Sequence, residues 1–301
     1  MTISTSDNVK LHTIESRPNK TPIGHIHILH GMAEHIGRYE GFIADLVSSG
    51  YVVTGHDHRG HGKTADLNGK LGHFGDQVDF DRIVKDAFEV IQLYRLKFSD
   101  LPFSLLGHSM GSFIARRYAQ LHGSHLDKLI CVGTAGDPGV SRIAGVALAK
   151  MRGRLRSFAQ TDYVINRLVF GRYNQLIKNP KTSFDWLSAN EQNVESYIND
   201  PYCGFVPTTG FFNCLFDGLK KIHQPEFVKQ VPSDLPILLV SGSDDPVGSN
   251  SKAVLQVGQQ FVQQGVTDVT VMLYEGKRHE ILQEDNRLDV FNFIKEWITR
   301  T

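Results

Sequence analysis

Residues 103–121 constrain the fold of this chain more than any other stretch. An apolar run at 103–106 reads as a short buried strand and stops at Gly107. A helical pattern takes over at once, with Phe113, Ile114, Ala115, Tyr118, Ala119 and Leu121 recurring at spacings of three and four. Strand, turn and helix are thus compressed into Gly107-His108-Ser109-Met110-Gly111, a G-x-S-x-G pattern. So sharp a turn forces its central residue into a strained backbone conformation and leaves no room for side chains at the two flanking positions. Strain of this kind costs about 1–3 kcal/mol and persists mostly where it serves a function. What it gains here is a hydroxyl held above the sheet edge, beside the positive end of a helix. The alternative is a glycine-rich turn that merely happens to hold a serine, and partners elsewhere in the chain decide between the two.

The remaining pattern is an alternation of apolar strands and amphipathic helices. Strands are predicted at 9–15, 24–29, 51–54, 129–133, 236–240 and 269–274, and helices at 39–49, 81–98, 210–222, 252–263 and 287–298. A polar loop rich in Gly and His is expected over 55–75. Such alternation means a mostly parallel sheet covered on both faces, an α/β fold. The rhythm breaks after Asp137-Pro138-Gly139. Residues 139–207 carry helical patterns and many Arg and Asn but no convincing buried strand, so they read as a helical insertion. The core is then 1–138 together with 208–301. There are no internal repeats and no low-complexity stretches.

Composition narrows the function classes. Lys plus Arg equals Asp plus Glu at 32 each, so no net field draws the chain to nucleic acid or an anionic membrane. No apolar run approaches the roughly 18 residues of a membrane span. The polar N-terminus lacks the basic and apolar regions of a signal peptide, and Cys131, Cys203 and Cys214 have no metal-ligand spacing, so they are expected to be free thiols in a reducing cytoplasm.

A serine hydroxyl is a poor nucleophile at neutral pH and needs an imidazole beside it, itself held by a carboxylate. In open α/β sheets such groups sit in loops at the carboxyl ends of strands. Two loops downstream of Ser109 supply them. One is Ser241-Gly242-Ser243-Asp244-Asp245, the other Glu275-Gly276-Lys277-Arg278-His279. The order Ser, Asp, His is the one expected for a nucleophile elbow, although spacing alone leaves Asp244 and Asp245 equivalent. The oxyanion of an attacked ester needs donors already in place. These are expected to be the backbone N–H of Met110, at the start of the helix, and that of Met32, in the turn after the strand at 24–29.

These residues, with their surroundings, resemble the α/β-hydrolase superfamily, specifically its monoacylglycerol lipases and lysophospholipase-like serine hydrolases. The resemblance is carried by His30-Gly31-Met32-Ala33-Glu34-His35 with Arg38-Tyr39, by Asp57-His58-Arg59-Gly60-His61-Gly62, by Gly107-His108-Ser109-Met110-Gly111, by Gly242-Ser243-Asp244-Asp245, and by Tyr274-Glu275-Gly276-Lys277-Arg278-His279. It spans nearly the whole chain apart from the insertion. The family pattern G-S-x-D selects Asp245 over Asp244 as the acid. The resemblance also implies an α/β-hydrolase fold, a mobile helical cap at 139–207 over an acyl pocket, and Glu34 and Arg38 at a polar end that receives a glycerol-like head group. The implied substrate is a lipid-like monoester, and the cap is expected to touch lipid surfaces transiently.

Other signals fail. Gly60-His61-Gly62-Lys63-Thr64 ends like a phosphate-binding loop but has Asp57 where that motif needs glycine. His279-Glu280-Ile281-Leu282-Gln283 resembles a zinc helix but has Gln283 for its second ligand. His56, His58 and His61 read as a hydrogen-bonded loop braced behind the oxyanion turn. Phe211, Phe212 and Phe216 are expected in the core or along the acyl tunnel. The expectation is therefore a carboxylic-ester hydrolase with the triad Ser109, Asp245 and His279, without cofactor or metal. The rivals are a small-ester carboxylesterase, an aminopeptidase-like hydrolase of the same fold, and a receptor that keeps the fold without catalysis.

Overall fold

A computed structural model describes residues 1–76 and 78–300. The chain runs β1 (Thr2–Ser4), β2 (Lys10–Ser16), β3 (Gly24–Leu29), α1 (Glu40–Ser48), β4 (Tyr51–His56), α2 (Gly62–Asn68), α3 (Phe80–Lys97), β5 (Phe103–His108), α4 (Met110–His122) and β6 (Lys128–Val132). There follow α5 (Val140–Leu155), α6 (Tyr163–Phe170), α7 (Glu191–Asn199), α8 (Thr209–His223), α9 (Pro225–Val228), β7 (Ile237–Gly242), α10 (Lys252–Gln263), β8 (Val269–Tyr274) and α11 (Arg287–Thr299). The strands form one eight-stranded sheet of order β1-β2-β4-β3-β5-β6-β7-β8. Only β1 and β2 run antiparallel to their neighbours, and every pairing from β4 to β8 is parallel.

Parallel strands are fully buried because side chains of both parities must find cover. In β7, Ile237 and Leu239 point into the core shared with α3, α4, α8 and α10, while Leu238 and Val240 point into the one shared with α1 and α11. β5 divides in the same way, Phe103 and Leu105 to one side and Leu106 to the other. This period of two, with both phases apolar, is the pattern the sequence carries.

Strand order reverses between β3 and β5, since β4 lies on the far side of β3. A crevice opens at such a switch point, outside the carboxyl ends of the strands. Residues 30–34 leave β3 there and Ser109 leaves β5 there, while β7 and β8 end two and three strands further along the same rim.

Three elements depart from the reading of the sequence. β1 and the single turn of α9 are too short to leave a period, and α2 occupies part of the expected loop at 55–75. α2 holds glycine, threonine and asparagine, all poor helix formers. Tertiary bonds stabilise it instead: the Thr64 hydroxyl donates to the Asp57 carbonyl and accepts from the His12 N–H, at 2.8 Å each. Residues 139–207 are helical, and among the described residues their one bridge to an extended segment is Thr161 with Thr208. Among the described residues, no helix is long and apolar enough to cross a membrane.

Candidate active site

Ser109 sits at φ 52° and ψ −119°, the strained conformation that the G-x-S-x-G pattern demands. The strain is held by its surroundings. A Cβ on Gly111 would collide with the carbonyls of Leu29 and His30, and one on Gly107 with the carbonyl of Gly111. The Ser109 N–H donates to Val132 O at 2.9 Å, and the Ser112 hydroxyl donates to Ser109 O at 2.6 Å. The backbone of the elbow is therefore pinned on every side. The Ser109 side-chain hydroxyl, by contrast, makes no hydrogen bond to a described protein group and faces a cavity that His279 also lines.

The loops after β7 and β8 approach each other closely because Gly242 lacks a Cβ, which would strike the Lys277 carbonyl. Their approach brings Asp245 and His279 together. Asp245 is fully buried; its Oδ2 accepts from His279 Nδ1 at 2.9 Å and from the Ser241 hydroxyl at 3.2 Å, while Oδ1 accepts from the Val247 N–H at 2.8 Å. Asp244 points elsewhere, toward the Ser243 hydroxyl. With Nδ1 donating to Asp245, the Nε2 lone pair of His279 is the one left for a proton acceptor's role. The Trp186 indole packs on the imidazole, 5.3 Å between ring centroids. No hydrogen bond links His279 to Ser109, an arrangement common in ligand-free sites, where such bonds tighten on substrate binding.

The backbone N–H groups of Met32 and Met110 have no partner among the described residues, and both residues line the cavity beside Ser109. The turn bearing Met32 is braced by Glu34, whose Oε1 accepts from the Gly31 N–H at 2.6 Å, the Tyr39 hydroxyl at 2.8 Å and His108 Nδ1 at 3.0 Å. Burial disfavours the Glu34 carboxylate, but the His108 hydrogen bond and the charges of His108 and Arg38 outweigh it and hold the carboxyl far below its usual range. Burial likewise disfavours a charged His108, yet its bond to Glu34 raises the imidazole above its ordinary value. The two form a buried ion pair directly behind the elbow, and His108 Nε2 reaches the His279 carbonyl at 3.2 Å.

Glu34 lines the cavity and Arg38 does not. Arg38 donates to both oxygens of Glu280, to Glu34 Oε2 at 3.1 Å and to Asn193 Oδ1 at 3.1 Å. Asn193 in turn donates to Glu280 Oε2 at 2.6 Å. This buried cluster joins the loop after β8 to α7, and nothing in the sequence pattern singles out its members His108, Asn193 and Glu280. Glu280 stands in the failed zinc-helix motif; its charge next to His279 is the one signal that could have drawn attention to it.

His58 and His61 pack on the His30 ring behind the oxyanion turn, with centroids 4.1 and 5.1 Å away, whereas His56 bonds to His27 in β3. His58 N–H donates to His30 Nε2 at 3.0 Å, and His30 Nδ1 donates to Gly31 O at 2.7 Å, which assigns the His30 tautomer from its partners. The three do not bring ligand atoms to a common point. Phe216 lines the cavity, whereas Phe211 and Phe212 are fully buried in the core.

The cavity has a volume of about 870 Å³, within the size usual for small-ligand sites. It is lined by Ser109, His279 and Glu34 together with apolar side chains such as Leu148, Leu168, Phe170 and Leu219.

A family model described as serine aminopeptidase, S33, matches residues 20–286. The chain is 25% identical to the monoglyceride lipase of Mus musculus over 94% of its length and 84% of that protein's. It is 27% identical to the monoacylglycerol lipase of Mycolicibacterium smegmatis, covering 93% and 90% of the two chains. Among solved structures, a thermostable carboxyl esterase from Bacillus coagulans in complex with glycerol is 31% identical and superposes with a TM-score of 0.93, covering 99% of this chain and 96% of the other.

Proposed function

Because the chain belongs to the serine aminopeptidase S33 family of α/β-hydrolases, we propose that it hydrolyses carboxylic esters through an acyl-enzyme formed on Ser109, with a monoacylglycerol or lysophospholipid as substrate. The observation that carries this reading is the Asp245–His279 hydrogen bond, which presents a basic imidazole to the cavity that receives the strained Ser109 hydroxyl. Ser109 Oγ attacks the ester carbonyl carbon while His279 Nε2 takes its proton. Asp245 holds the imidazole by Nδ1 and stabilises it once charged. The carbonyl oxygen becomes an oxyanion received by the N–H groups of Met32 and Met110. His279 then protonates the departing alkoxide, the C–O bond breaks, and the alcohol leaves. Water, deprotonated by His279, attacks the acyl carbon, and Ser109 recovers its proton as the acid departs.

The substrate class rests on the mostly apolar lining of the cavity that Ser109 and His279 share, and on the lipases among the relatives. In this reading 139–207 is a cap over the acyl chain, set on a core of 1–138 and 208–301. Its exposed Val140, Ile143, Leu155, Tyr163 and Leu168 suit transient contact with a lipid surface. Glu34 stands where a polar head group would be received, with Arg38 behind it.

A panel of monoacylglycerols, p-nitrophenyl esters of increasing chain length and aminoacyl anilides tests the proposal. Turnover of long-chain monoesters well above anilides is expected, and a preference for anilides would overturn the lipid reading. A fluorophosphonate probe should acylate Ser109, and folded protein left unlabelled there would argue for a receptor.

A further inference from the structure

Away from the ester site, the fold gathers one trio of metal-ligating side chains among the described residues. His35, Asp200 and Cys203 each offer a ligand atom, and these atoms lie within 4.8 Å of one another. His35 follows the turn that bears Met32, while Asp200 and Cys203 lie just beyond α7. We propose that this trio binds a divalent cation of borderline softness, Zn²⁺, which clips the 200–204 segment to the oxyanion-turn loop.

The donor set favours that choice. An imidazole, a carboxylate and a thiolate together match zinc better than the oxygen-seeking Mg²⁺ or Ca²⁺. The ligands are reachable, since the His35 and Asp200 side chains are 19% and 26% exposed. Cys203 is half-buried, whereas Cys131 and Cys214 are fully enclosed, so a metal arriving from solvent meets one thiol only. The orientation of the carboxylate is already set: Asp200 Oδ1 accepts from the Tyr202 N–H at 2.8 Å and Oδ2 from His35 Nε2 at 2.9 Å. The Tyr202 contact is an outer one of the kind that holds a ligand ready for a metal, whereas the His35–Asp200 bond is the one a metal would replace. A surface groove beside Glu195 and Asn199 is lined by His35 and Asp200 and gives solvent access to these two ligands.

The dication would supply the positive charge that a thiolate at Cys203 needs. On binding, the thiol proton leaves to solvent and the imidazole proton moves from Nε2 to Nδ1. That shift gives up the Nε2–H bond to Asp200 Oδ2 and the contact from the Gly37 N–H, 3.3 Å long, and the bonds of the metal to His35 and Asp200 take the place of the former.

The segment being clipped already touches the turn: the Gly204 N–H and the Tyr197 hydroxyl donate to Ala33 O at 3.0 and 2.9 Å. Gly204 and the two residues after it line the cavity. A bound cation would therefore stiffen the wall next to Met32.

The test titrates Zn²⁺ alone into metal-free full-length protein against a chromogenic chelator, and substitutes Co²⁺ to look for a thiolate-to-cobalt charge-transfer band in the near ultraviolet. One tight equivalent is expected, with a raised melting temperature. Cys203→Ser and Asp200→Asn should each weaken binding by more than about 100-fold, beyond the 10–100-fold that loss of an outer contact costs. His122→Ala, at the end of α4 where His122 stacks beside His125, should leave it unchanged. Binding by the wild type no tighter than by Cys203→Ser, or a cobalt complex without the thiolate band, overturns the proposal. The cobalt spectrum needs no variant, so a misfolded substitution leaves the test decisive.

Discussion

The turn at 107–111 and the segment at 139–207 face each other across one cavity, and they are held in place by opposite means. At the turn, backbone packs on backbone: a single added methyl at Gly111 would meet two carbonyls, and eleven of the thirteen residues of α4 are buried. In the segment, α5 buries only Ala149 and Gly153 and α6 only Ile165, while Val140, Leu155 and Leu168 are 81%, 76% and 64% exposed. The difference separates two jobs. Reacting atoms must be held to a fraction of an ångström, whereas a wall that admits ligands of varied length needs low local stability.

The sharpest way to break this comparison is at the serine. Ser109→Ala should lower kcat by about 10⁴-fold or more with an unchanged melting temperature, because the elbow is held by its backbone and its glycines. Asp245→Asn should cost about 10⁴-fold through the wrong imidazole tautomer. A steady-state assay paired with thermal melting checks both, and near-wild-type turnover in either would remove these residues from the chemistry.

A pair of glycines tests the packing contrast itself. Gly111→Ala should destabilise the protein by more than about 3 kcal/mol, since neither carbonyl can give way. Gly139→Ala, at φ 59° with nothing within 4 Å of its new methyl, should cost only about 1–3 kcal/mol of backbone strain. Chemical denaturation of the two variants measures the difference, and equal losses would mean that the turn is no more tightly determined than the segment.

Acid should find the core before the segment, which contains no histidine. Burial pushes His25 and His56 down to about 3 and His61 down to about 4, and it holds His27, His30 and His58 well below their ordinary value. Their folded values lie below the unfolded value of 6.5, so between the two the unfolded chain binds more protons. The stability they contribute is therefore present above about pH 6.5 and is lost as pH falls toward 4 and then 3. Each histidine adds a slope of up to about 1.4 kcal/mol per pH unit. Urea unfolding from pH 7.5 down to 5 should show a midpoint that drops steeply below about 6.5; a flat midpoint would contradict the buried, neutral state of these rings.

The contrast also explains what could be read in advance. Sheet and elbow were legible because their causes are local: both parities of β5 and β7 are apolar, and G-x-S-x-G states its own steric demand. Asp245 needed more than spacing, since Asp244 beside it is equally polar and only the fold turns one of them toward His279. The ion-pair cluster of Glu34, His108, Arg38 and Glu280 was not legible as a unit. Its pairings run from 4 to 242 residues apart and leave no period in the sequence. α2 was hidden for the related reason that its stability comes from Asp57 and β2 rather than from its own residues.

The smallest expected effect probes the segment alone. Leu155→Ser and Leu168→Ser lie on exposed positions of the segment, so each should change stability by no more than about 0.5 kcal/mol. Leu168 also lines the cavity, whereas Leu155 does not. If these side chains meet a lipid surface, both variants should turn over a dispersed short-chain ester normally at low concentration. Hydrolysis of an emulsified long-chain monoester should fall several-fold in both, by weaker partition to the interface. Leu168→Ser should lose more, because a serine in the acyl wall also weakens the apolar contact with the chain. Losing roughly one exposed leucine's worth of transfer free energy, about 1.5–3 kcal/mol when fully buried, sets the ceiling at about tenfold to a hundredfold. Equal rates on both substrate forms would leave the segment as a wall only, its apolar exterior unused by catalysis.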